Sequence, residues 1–154
     1  MIEDSKVLIV ESRFYEDISD ELCKGAITVL ENARIEYERI AVPGAFEIPQ
    51  AILQAIHSLE YNPNKNHFAG FIGLGCVIRG ETSHYDYVCQ EASRGMMDIA
   101  MEYRVALGYG ILTVENHEQA WDRASVSKKN KGGDVANACL RMMEVKKYFH
   151  PMSI

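Results

Sequence analysis

Along this chain, short apolar runs rich in β-branched residues take turns with stretches whose apolar residues recur every three or four positions. That alternation constrains the fold more than any other feature, because it demands strand-helix-strand crossovers. Residues 6–10 (KVLIV) read as a buried strand. Ile18, Leu22, Ala26, Val29 and Leu30 then fall on one face of a helix. Residues 35–42 (IEYERIAV) alternate as a half-buried strand does, and Pro43-Gly44 breaks the chain. A helix is expected from about Glu47, with Pro49 in its first turn and Ile48, Ile52, Ala55, Ile56 and Leu59 as its apolar stripe. Residues 61–66 have the chemistry of a surface turn.

The most apolar segment, 68–78 (FAGFIGLGCVI), predicts a central strand whose glycines allow close packing or a bulge. Val88, Ala92, Met96, Ile99 and Tyr103 mark the next helix, and 109–114 (YGILTV) the next strand. Asn116, with Gln119 three residues on, has the spacing of a capping box for a short helix through Trp121. Residues 128–133 read as a basic loop ending in glycines, and Val135, Cys139, Met142 and Met143 as a last amphipathic helix. Together these elements predict an α/β fold: a three-layer sandwich with a central parallel four-stranded sheet flanked by helices on both faces, flavodoxin-like in outline. Such sheets bind ligands beyond the carboxyl ends of their strands, which singles out loops 11–14, 43–47, 79–84 and 114–116.

Composition narrows the function. With 154 residues, 47% hydrophobic and 25% charged, the chain is expected to form one domain spanning 1–154 that needs neither disulfide nor metal. A net charge of −6 argues against a nucleic-acid partner, whose phosphates call for a basic surface. Cys23, Cys76, Cys89 and Cys139 form no C-x-x-C pair and read as small buried hydrophobes in a reducing compartment. The acidic start, MIEDSKVLIVES, is expected to be neither signal peptide nor transmembrane segment. No other stretch is long enough for a membrane span, and a cytoplasmic location is expected.

The turn Arg79-Gly80-Glu81-Thr82-Ser83-His84 is the strongest candidate for chemistry. Gly80 lets the backbone bend, Thr82 or Ser83 can cap the following helix, and that helix start offers free N–H groups to a phosphate. The helix dipole there disfavours the imidazolium of His84, which suits proton transfer beside an anion. A plain capped helix with an exposed histidine fits the pattern equally well. Glu47, opening a helix after a strand, could accept hydrogen bonds from hydroxyls or ring N–H groups, or could simply answer the helix dipole. Phe14, at a strand's carboxyl end, is either a stacking surface for a planar ring or a core residue. Arg123 and Lys131 could complete an anion site or be solvated surface cations.

Other sites fail on spacing. Gly73, Gly75 and Gly80 do not form a dinucleotide fingerprint, and no phosphate loop or G-x-S-x-G elbow occurs. The five histidines show no metal-ligand spacing. The third strand ends in Ile78-Arg79, without the carboxylate a phospho-receiver requires.

The loops match a known family in order and nearly from end to end. Ser12-Arg13-Phe14, Val42-Pro43-Gly44-Ala45-Phe46-Glu47-Ile48-Pro49, and the run from Gly75 through Arg79-Gly80-Glu81-Thr82-Ser83-His84-Tyr85-Asp86-Tyr87-Val88 carry the match. So do Gly110-Ile111-Leu112-Thr113, Glu118-Gln119-Ala120-x-x-Arg123-Ala124 and Asn130-Lys131-Gly132. On these motifs the chain resembles the 6,7-dimethyl-8-ribityllumazine synthases.

The resemblance implies a transferase of riboflavin biosynthesis, condensing 5-amino-6-(D-ribitylamino)uracil with 3,4-dihydroxy-2-butanone 4-phosphate, without cofactor or metal. It implies that His84 transfers protons and that Phe14 stacks on the pyrimidine. Ala45, Phe46 and Glu47 would hold the pyrimidine and ribityl chain, and Cys76, Val77 and Ile78 would contribute backbone contacts. Glu81 and Thr82 would offer N–H groups to the phosphate and Arg123 its guanidinium, with Lys131 close by. It also implies a homopentamer, or a larger shell, with sites between subunits, so that Tyr109, Arg123 and Lys131 reach in from a neighbour. Riboflavin synthase is a candidate partner. A non-catalytic flavin- or lumazine-binding protein on the same fold is the alternative. Tyr15 stands where the family commonly has Asn, Val114-Glu115-Asn116 replaces a Thr-Asp-Thr run, and 125–130 lacks the glycines common in shell-forming members.

Overall fold

The computed structural model describes residues 5–61 and 67–151, except for the side chains of Leu59 and Glu60. Four strands, β1 (Lys6–Ser12), β2 (Glu36–Val42), β3 (Gly70–Ile78) and β4 (Ala106–Val114), pair in parallel in the order β2-β1-β3-β4. Five α-helices connect or follow them: α1 (Glu16–Asn32), α2 (Ile48–Tyr61), α3 (His84–Tyr103), α4 (His117–Ala124) and α5 (Lys131–Phe149). A 3-10 turn, Ala45–Glu47, leads into α2.

The two inner strands are apolar on both faces, as a parallel sheet covered on both sides requires. Val7, Ile9, Ile72, Leu74 and Cys76 pack with α1, α4 and α5. Leu8, Val10 and Phe71 pack with Ile48 and Ile52 of α2 and with Val88, Ala92, Met96 and Ile99 of α3. The result is the expected three-layer sandwich. The glycines of β3 do belong to close packing: a Cβ on Gly73 would run into Met96 and Ile48.

Element ends shift by up to three residues, β4 beginning at Ala106 and α4 running to Ala124, and two elements differ in kind from the sequence reading. β2 is not half buried; it is an edge strand exposed along most of its length, with Ile40 47% exposed. Its alternation reflects charges that blunt a free edge as much as a buried face. The second difference concerns 128–133, where no loop runs through to Gly133. α5 begins at Lys131, four residues before Val135, and takes both glycines into its first turn. The physical reason is helix proximity: a Cβ on Gly132 would overlap the Leu22 carbonyl of α1. Asn130, in the left-handed region at φ 48°, caps this helix by accepting from the Gly133 N–H. The expected turn at 62–66 and the first four residues lie outside the described residues.

Candidate active site

Sheet order reverses between β1 and β3, since β2 lies on one side of β1 and β4 beyond β3. A crevice at such a reversal lies above the carboxyl ends of the strands. Here it is a cavity of about 600 Å³, lined by Phe14 and Tyr15, by 43–47, by Cys76, Val77 and Ile78, and by His84, Tyr87 and Val88. Its size falls in the range of small-molecule sites.

Four chain segments build the walls, the floor among them being the end of β3 at Cys76, Val77 and Ile78. Phe14 leaves the end of β1 with 73% of its surface exposed and meets Tyr15 edge to face. The turn beneath it is pinned by the Ser19 hydroxyl, which donates to the Ser12 carbonyl at 2.9 Å. Pro43 and Gly44 carry the chain from β2 into the 3-10 turn, where Ala45 is buried and Phe46 is 49% exposed. Glu47 is half buried, and its carboxylate accepts no hydrogen bond from the described residues. A carboxylate in that state is ready for a donor on a ligand.

The third wall is the start of α3. His84 is its first residue and is exposed. Ser83 occupies the N-cap position without a side-chain bond; the Thr82 hydroxyl instead accepts from the His84 N–H at 3.3 Å. Glu81 and Thr82 are exposed in the turn ahead of His84 and do not line the cavity. Arg79 is engaged elsewhere. It meets Glu115 at 2.8 Å and Asp86 at 3.3 Å, and its guanidinium lies 4.3 Å from the centre of the Tyr85 ring. Those contacts tie the His84 loop to the end of β4. There Asn116 caps α4 through the Gln119 N–H at 2.9 Å, while the Gln119 side chain accepts from the Glu115 N–H.

Cys76 is a wall and not a nucleophile: burial pushes its thiol up to about 12, so the thiolate is scarce near neutrality. Among the described residues, no cluster of His, Cys, Asp or Glu could hold a metal ion.

The single chain thus brings together Phe14, Ala45, Phe46, Glu47, Cys76, Val77, Ile78 and His84. Tyr109, Arg123 and Lys131 do not line this cavity. Tyr109 borders a separate groove with Met96, Met97 and Leu107. Among the described residues, Arg123 donates only to the Gln119 carbonyl of its own helix, and Lys131 lies 3.8 Å from Asp134. Tyr87 and Val88 were not singled out from sequence as site residues. They lie three and four positions after His84, so helical spacing alone puts them on its face.

The segments that wall the cavity are among those on which the sequence resemblance rests. A model of the 6,7-dimethyl-8-ribityllumazine synthase family matches residues 4–147. The chain belongs to this family. It is 52% identical over 143 residues to a 6,7-dimethyl-8-ribityllumazine synthase of Bartonella tribocorum, covering 93% of this chain and 91% of that one. It is 47% identical over 146 residues to one from Afipia carboxidovorans, covering 95% and 88%. A third, from Agrobacterium fabrum, is 50% identical over 141 residues, covering 92% and 94%. In lumazine synthase terms, the cavity of this member is built on loops of one chain, and five of the expected binding residues, Glu81, Thr82, Tyr109, Arg123 and Lys131, do not line it. No helix among the described residues is long and apolar enough to cross a membrane.

Proposed function

We propose that this chain condenses 5-amino-6-(D-ribitylamino)uracil with 3,4-dihydroxy-2-butanone 4-phosphate, giving 6,7-dimethyl-8-ribityllumazine, phosphate and water. The observation that carries the reading is His84 at the first position of α3, lining a cavity whose other walls include an exposed aromatic and a carboxylate unpaired among the described residues. Phe14 stacks on the pyrimidine, and Glu47 accepts hydrogen bonds from the ribityl hydroxyls. Phe46, Ala45 and the strand end at Cys76, Val77 and Ile78 hold the ring edge.

The 5-amino group and the ketone form an imine with loss of water, phosphate leaves by elimination, and the ribityl-bearing amine closes the ring on the remaining carbonyl with loss of a second water. Each step moves protons between neighbouring atoms, which is work for one positioned imidazole. Phosphate sits at the start of α3, where free N–H groups and the helix dipole favour an anion. The Glu81 and Thr82 N–H groups face it, with the Glu81 carboxylate turned away.

Arg123 and Lys131 supply the countercharge from a neighbouring subunit, and Tyr109 closes the pocket from the same side. Arg123 supports this arrangement, being half buried with no carboxylate partner among the described residues. A pentamer gives every site such a neighbour. The location consistent with this reading is the cytoplasm. The test is an assay with both substrates, followed by lumazine fluorescence. Product that forms only when both are present supports the reading; tight flavin or lumazine binding without turnover points to a carrier.

A further inference from the structure

Directly behind Phe14 lies a chain of charges that the reaction does not use. Glu11, at the end of β1, is 2% exposed. It accepts from Arg13 Nη1 at 2.6 Å, and from Arg39 Nε and Nη2 at 2.8 and 3.1 Å. Arg13 also donates to Asp20 of α1 through its other terminal nitrogen. The guanidinium therefore spans the β1–α1 turn from strand end to helix, and Phe14 is the next residue. An aromatic 73% exposed has little packing of its own to fix it, so its position follows from the backbone that carries it.

We propose that Arg13, braced between Glu11 and Asp20, is a positioning residue that sets Phe14 against the pyrimidine ring. The inference rests on the reading that Phe14 stacks on that substrate. Arg39 gives the test its footing. If Arg13 is replaced, Glu11 keeps a charged partner, so no lone charge is buried and the fold survives. Asp20 is 67% exposed at its side chain and loses little.

The experiment compares Arg13→Met, Asp20→Asn, Phe14→Ala and the double variant Arg13→Met/Phe14→Ala in the two-substrate assay, with melting temperatures alongside. Arg13→Met is expected to raise KM for the pyrimidine roughly tenfold, with kcat and the ketone-phosphate KM within about twofold of wild type. Asp20→Asn moves the same parameter less. Because both residues act through one contact, the double variant is no weaker than Phe14→Ala alone. Multiplying effects in the double variant, an unchanged pyrimidine KM in Arg13→Met, or a loss confined to kcat overturns the proposal. An unchanged pyrimidine KM in Phe14→Ala removes the stacking reading itself, and the proposal with it.

Discussion

At the residue scale, His84 carries the sharpest expectation. His84→Ala should lower kcat by roughly 10²–10⁴-fold, the usual size of a general acid–base contribution, while equilibrium binding of both substrates changes little. Stopped-flow turnover set beside calorimetric binding separates the two. Glu11 predicts an acid limb in stability. Burial alone would raise its carboxyl, but hydrogen bonds from Arg39 and then Arg13 outweigh that, leaving it below the ordinary value of 4.5. A group depressed in the folded state stabilises above its unfolded pKa, and the benefit is lost as pH falls through the folded value. Melting temperature should therefore fall on acidification below about pH 4.5 more steeply in wild type than in Glu11→Gln. Parallel slopes would assign the acid limb to other carboxylates. Neither Glu11 nor Arg39 was legible as a pair in the sequence, because 28 residues separate them and only the register Ile9↔Arg39 brings β2 beside β1.

At the element scale, what could be read and what could not divides along local and non-local causes. β1, β3, β4 and the faces of α1 and α3 follow from periodicity, which depends on near neighbours alone. Asn116 caps α4 as its spacing says, since a cap closes within one turn, while the Gln119 side chain accepts from the Glu115 N–H, one residue ahead of the cap, and not from Asn116 itself. The start of α5 was misread because glycines usually end helices, and the reason for these two lies on another helix. That reason makes a prediction. Gly132→Ala forces a methyl into the α1 backbone and should cost about 1–3 kcal/mol, the usual penalty for overpacking. Denaturant melts against Gly80→Ala, where a Cβ meets nothing within 4 Å, give the comparison. Equal midpoints would mean that α1 and α5 can move apart freely.

At the scale of the whole molecule, the candidate site was legible only as far as one chain builds it. The loops at the carboxyl ends of β1, β2 and β3 converge as the topology demands. Tyr109, Arg123 and Lys131 stay apart, and no pattern within one chain says where they act. If a second subunit brings them, two inactive variants should repair one another. Subunits carrying His84→Ala, mixed and reassembled with subunits carrying Arg123→Ala, should regain turnover. By random pairing about a quarter of the interfaces would have both residues intact. No recovery, with assemblies of mixed composition verified by mass spectrometry, would place the whole site within one protomer.

The exposed Phe14 has a consequence for how the enzyme behaves when scarce. An imine held in a cavity whose aromatic wall faces bulk solvent is open to hydrolysis, which regenerates the starting amine and ketone. If a neighbouring subunit covers that wall, dilution that separates subunits should slow lumazine formation before it erodes the fold, with far-ultraviolet circular dichroism still native where the rate of fluorescence increase has already dropped.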